Sequence, residues 1–176
     1  MLDESRNSVD ARCVSSKPGS IQHALRRTKP FRSRRQEALV GLLSTAEATR
    51  WPLQDLFARH DGLTLQQYNV LRILRGAGAA GLPTLEVGER MIERTPGVTR
   101  LLDRLAAKRL VARSRARGDR RQVICRITAA GLRLLKDLDR PVAALDDSIL
   151  ACLGDREVAR LIALLDKVRH HNPRPA

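Results

Sequence analysis

From Gln36 onward, apolar residues recur at helical spacing with polar residues between them. Leu39, Leu42, Leu43 and Ala46 predict a first helix. Pro52 is expected to kink or interrupt it, because proline removes a backbone donor and crowds the preceding turn; Leu53, Leu56 and Phe57 then resume the pattern before "HDG" stops it. Thr64, with Gln67 three residues later, is a capping-box signature for a second helix whose inner face is Val70, Leu71 and Leu74. The glycines of "RGAGAAG" end that helix. Thr84 reads as the cap of a short helix through Leu85, Val87 and Met91. Thr95 reads as the cap of the next, with Pro96 in the first helical position. In this helix Val98, Leu101, Leu102 and Leu105 share one face, and Thr99, Arg100, Asp103 and Arg104 take the other.

The period then shortens. Residues 111–115 and 122–127 predict two strands, joined by a turn at "ARGDR". Thr128 caps a long helix carrying Leu134, Leu135, Leu138, Val142, Leu145 and Ile149, which Pro141 is expected to bend. A final helix from about Asp155 carries Val158, Leu161, Ile162, Leu165 and Val168. The predicted class is mainly α with a small β-hairpin wing: a winged helix-turn-helix plus a helical dimerisation domain. Residues 1–34 lack a sustained apolar period and are rich in Ser, Arg, Lys and Pro, so they predict a disordered basic arm. A dimerisation helix follows at 35–63, the DNA-binding lobe at 64–127 and C-terminal dimerisation helices at 128–172. The end helices carry more apolar surface than a small lobe can cover, which predicts a homodimer; a monomeric bundle that buries these faces internally is the alternative.

Charge sharpens this picture. The chain carries a formal +14, and residues 90–126 supply +9 of it while the arm supplies +5. Concentrated positive charge is the footprint of a polyanion partner, most often nucleic acid. A helix fits the major groove of double-stranded DNA and presents its N-terminal residues to base edges. Thr95, Pro96, Gly97, Thr99, Arg100 and Arg104 are therefore the candidate residues of a recognition helix. Arg113, Arg115, Arg117, Arg120 and Arg121 form a basic hairpin suited to phosphates and to a narrow minor groove. Asp119, the one acid among them, either orients a neighbouring guanidinium by charge-assisted bonds or serves the turn by bonding its own backbone.

The segments "LTLQQYNVLRILRGAG", "RTPGVTRLLDRLAAKRLVARS" and "GDRRQVICRITAAG" resemble the MarR family of winged-helix transcriptional regulators. The wing signature of that family is matched at Asp119, Arg121, Ile127, Thr128 and Gly131, with Ile127 in place of the usual Leu. Arg109 stands where glycine often ends the recognition helix. The resemblance spans roughly residues 36–170. It implies a cytoplasmic homodimer in which terminal helices form the interface and two lobes bind a palindromic operator, with a ligand-responsive repressor as the expected form. It also implies a small aromatic or phenolic effector; Trp51 and Tyr68, with Arg72 or Arg50 as anion partner, are the candidates to line its pocket. Burial in the core is the commoner use of such aromatics. A winged-helix nucleic-acid-associated or protein-interaction module without a small-molecule ligand is the alternative function.

Other chemistry finds little support. Cys13, Cys125 and Cys152 are odd in number and far apart, which fits a reducing compartment; Cys125 and Cys152 read as buried, inert thiols. His170 and His171 are adjacent and do not share a helical face, so no metal site and no cofactor are expected. There is no phosphate-binding glycine loop and no catalytic grouping, so no enzyme is expected. An aromatic content of 2% leaves little on which single-stranded RNA bases can stack. No apolar run approaches ~18 residues, so no membrane partner is expected.

Overall fold

The computed structural model describes residues 20–60, 62–92, 97–116 and 121–173, which divide between two compact units, 1–48 and 49–176. In the first unit, α1 (Ile21–Ala24) is a single turn capped by the Ser20 side chain, and the Arg27 guanidinium lies 4.5 Å from the centre of the Phe31 ring. Both contacts fall within the stretch expected to form the basic arm. Next comes α2 (Arg34–Ala58), which continues through Pro52. A proline in a helix of this length deletes one hydrogen bond and crowds one turn, and the flanking turns supply the rest of the ladder.

The second unit holds the core. Thr64 and Gln67 form the predicted capping box at the start of α3 (Leu65–Ala77), with Gln67 N donating to Thr64 Oγ1 and Thr64 N donating to Gln67 Oε1. A short 3-10 turn, Gly78–Ala80, leads into β1 (Leu82–Pro83) and α4 (Thr84–Arg90). Thr84 does not cap α4. It is the first helical residue, and its hydroxyl instead donates to the Val123 carbonyl across the sheet.

The helix with the sharpest amphipathic pattern, α5 (Val98–Ala107), begins after Gly97, a left-handed residue at φ 110°. Thr95 and Pro96, the expected cap and first helical residue, lie outside the described residues. Leu101, Leu102 and Leu105 are buried as the pattern requires. The exit of α5 is a Schellman turn: Leu110 N donates to Leu105 O and Arg109 N donates to Ala106 O. Arg109 takes the left-handed conformation at φ 58°, where glycine is the usual occupant.

Two strands follow, β2 (Val111–Arg115) and β3 (Val123–Ile127), within a residue of their predicted limits. They pair antiparallel with Val111 opposite Ile127, Arg113 opposite Cys125 and Arg115 opposite Val123. The sheet has three strands in the order β1-β3-β2, Leu82 pairing with Cys125. Thr128 caps α6 (Ala129–Leu150), which runs through Pro141 to a turn and then α7 (Asp155–His171). Phe57, Val70, Leu71, Leu74, Val87, Met91, Leu102, Leu105, Cys125, Leu135 and Leu138 are fully buried together. An ion pair in which Arg75 Nη1 donates to both carboxylate oxygens of Asp139, each at 2.9 Å, joins α3 to α6 at the surface of this core.

Candidate nucleic-acid interface

The exposed face of α5 holds Thr99, Arg100, Asp103 and Arg104, the set that its period assigns to solvent. Beside it, the hairpin extends past the paired strands by one more rung, Ala116 N donating to Gln122 O at 2.9 Å. Arg115 is exposed at the end of β2, and Arg121 is exposed just before β3. Gly97 is exposed at the entrance to α5. The tip residues Arg117, Asp119 and Arg120 lie outside the described residues. A helix presenting hydroxyl and guanidinium groups lies next to a narrow basic ribbon, so two adjacent elements offer hydrogen-bond donors and positive charge.

Arg113 differs from the other arginines. Its side chain is only 23% exposed, and its guanidinium forms an ion pair with Asp103 of α5. The chain thus uses Arg113 to brace β2 against α5, while Asp103 is neutralised on the face that carries Arg100 and Arg104. Sequence reading placed both residues but could not pair them: they are ten apart, and the contact depends on how a helix and a strand from different parts of the lobe meet. On the outer face of the sheet, Arg126 Nε donates to the Ala79 carbonyl and its Nη1 donates to Ser114 Oγ, at 3.0 and 2.9 Å. Strand alternation puts Ser114 and Arg126 on one face, but the tie to the 3-10 turn had no signal in the sequence.

Of the candidate pocket residues, Tyr68 and Arg72 meet, Arg72 Nη1 donating to the Tyr68 hydroxyl oxygen at 3.5 Å. Tyr68 is buried and stacks on Phe57, ring centres 4.2 Å apart. Arg72 sits over the same ring at 5.9 Å. Trp51 is 70% exposed, which corrects its reading as a core residue. A cavity of about 350 Å³ opens instead between α2 and the start of α3, lined by Arg50, Gln54, Ala58, Leu63, Leu65 and Gln66, among others. Cys125 is buried as expected, and Thr84 Oγ1 lies 3.6 Å from its sulfur. Cys152 is exposed, a correction to its buried reading; it sits in the turn between α6 and α7. Among the described residues there is no cluster of three or more potential metal ligands, and no helix is long and apolar enough to cross a membrane.

Comparison with known proteins gives a consistent picture. A family model described as MarR family matches residues 61–122, the span from the start of α3 to the wing. The crystal structure of a MarR transcription factor from Planctomyces limnophilus is 38% identical, covers 78% of this chain and 98% of its own, and superposes with a TM-score of 0.61. The HTH-type transcriptional regulator MhqR of Bacillus subtilis is 29% identical over 61% of this chain and 72% of its own length. The PcaV transcriptional regulator from Streptomyces coelicolor, solved with its natural ligand, is 27% identical over 71% of this chain and 89% of its own, with a TM-score of 0.61.

Proposed function

This chain belongs to the MarR family of transcriptional regulators, and from that premise we propose that it acts in the cytoplasm as a homodimeric repressor reading a palindromic operator in double-stranded DNA. The observation that carries the reading is the pairing of α5, with Thr99, Arg100 and Arg104 exposed, with a basic hairpin braced to it through Arg113 and Asp103. The dimer is supported by apolar residues left uncovered: Leu39, Leu42 and Leu43 on α2, and Ile162, Leu164 and Val168 on α7. Burying several such side chains in a partner removes apolar area from water at roughly 25 cal/mol per Å². Thr95, Pro96, Gly97, Arg115, Arg117, Asp119, Arg120 and Arg121 complete the proposed DNA-contacting set.

Arg100 is assigned to base reading. It sits in the first turn of α5, on the solvent face, where a major-groove helix meets base edges. Arg100→Ala is expected to lower operator affinity by about 1–3 kcal/mol while leaving affinity for random duplex nearly unchanged. Equal losses on both duplexes, measured by titration at one salt concentration, would reassign Arg100 to a phosphate.

The effector is assigned to the cavity beside Arg50. The cation at Arg50, the amides of Gln54 and Gln66 and the apolar walls of Leu63 and Leu65 suit a small aromatic acid. PcaV, solved with its natural ligand, supports ligand binding on this scaffold. A benzoate-class probe is expected to raise the melting temperature of the wild-type chain and not of Gln54→Leu. A probe that raises both equally binds elsewhere.

A further inference from the structure

One residue joins the exit of α5 to the entrance of α6. The Schellman turn leaves the carbonyls of Arg109 and Leu110 outside the helical ladder, and Thr128 takes both. Its backbone N–H donates to Leu110 O at 3.0 Å, and its hydroxyl donates to Arg109 O at 2.8 Å. The same hydroxyl oxygen accepts the Gly131 N–H at 3.1 Å, capping α6. The single hydroxyl proton and one lone pair are thus both committed, to different helices. The contact is close-fitting on its far side: a Cβ at Gly131 would stand 2.5 Å from Leu110 O and 2.8 Å from Ile127 Cγ1. The carbonyl held by the hydroxyl belongs to Arg109, the left-handed non-glycine residue of the turn. A side chain resists that conformation, so the turn keeps it only while its bonds hold it.

We propose that Thr128 is a positioning residue for DNA reading: its hydroxyl locks the C-terminal end of α5 to the N-terminal end of α6 and so fixes where the base-reading face of α5 lies relative to the long helix. The inference rests on the assignment of α5 to base reading. Capping of α6 and positioning of α5 use different halves of the hydroxyl, so substitutions separate them. Serine keeps both halves. Aspartate keeps the cap, because a carboxylate accepts from the Gly131 amide, but it has no proton for the Arg109 carbonyl. Valine keeps the shape and loses both.

The full chain and its Thr128→Ser, Thr128→Asp and Thr128→Val variants are compared in two assays. Amide exchange of Arg109 and Leu110 in the free protein is expected to quicken about ten-fold or more in the Asp and Val variants and to stay within about two-fold in Ser. The ratio of operator affinity to random-duplex affinity is expected to fall about ten-fold in Asp and Val, with Asp retaining the wild-type melting temperature, and to be retained in Ser. Wild-type exchange and ratio in Val would overturn the proposal. So would a ratio lost in Val and recovered in Asp, which would reduce Thr128 to a cap. If the wild-type chain prefers no duplex, the base-reading assignment of α5 fails, and the exchange rates still decide whether the hydroxyl holds the junction.

Discussion

Arg113→Asp is expected to lower operator affinity by about 100-fold or more, and a second change, Asp103→Arg, to recover at least ten-fold of that loss. The Arg113 guanidinium is mostly sheltered and pairs with the Asp103 carboxylate on the solvent face of α5. Reversing its charge sets two carboxylates side by side. At ~4 Å and an effective dielectric near 20, the repulsion is on the order of 4 kcal/mol, enough to drive β2 and α5 apart. It also leaves Asp103 unneutralised on the face that carries Arg100 and Arg104. Exchanging both charges rebuilds the attraction across the same gap. The same repulsion acts in the free protein, so the melting temperature is expected to fall in the single variant and to recover in the double. Operator titration of the two single variants and the double variant at fixed salt checks this. A single reversal that binds within two-fold of wild type, or a double variant no better than the single, would show that the pair does not hold the interface.

Gly81→Ala is expected to destabilise the fold by about 2–4 kcal/mol, read as a fall in the urea midpoint without a change in slope. Gly81 stands at φ 69°, ψ −170°, a region essentially reserved for glycine and worth about 1–3 kcal/mol of strain to any other residue. An added methyl would also press into the Cys125 carbonyl oxygen and stand 2.5 Å from Arg126 Cγ. The first of these neighbours is backbone in the central strand and cannot swing away. The second is the stem of an arginine already held by Ala79 and Ser114. Strain and overpacking therefore act together. A change below about 0.5 kcal/mol would mean that the 3-10 turn and β3 do not meet as closely as the structure has them.

The contrast between Leu102 and Arg113 explains what could be read from the chain alone. The burial of Leu101, Leu102 and Leu105 follows from a period of 3.6, a local property. The hairpin likewise announces itself by alternation around a turn, and Thr64 and Thr128 by the spacing of cap and partner. The family resemblance rested on these local segments and agrees with the structural and sequence comparisons. The partner of Arg113 depends on how α5 and β2 meet, which no local pattern encodes. For the same reason β1 was not legible: two residues, one of them a proline without an N–H, show no alternation, and only pairing with β3 makes them a strand. Pro52 does not interrupt α2, because a lost hydrogen bond in a long helix is a local cost that the neighbouring turns absorb. Trp51 and Cys152 were misplaced because apolar character says that a side chain favours burial without saying which surface provides it.

The most direct test of the account is selection of duplexes from random DNA by the full-length purified chain, followed by footprinting and measurement of the mass of the complex. The expected outcome is enrichment of a two-fold symmetric sequence, with half-sites about one helical turn (~10 base pairs) apart, bound by two chains. Loss of this preference in Arg100→Ala would place α5 on the bases. Failure to enrich any sequence, or enrichment of a single asymmetric site bound by one chain, would contradict the account.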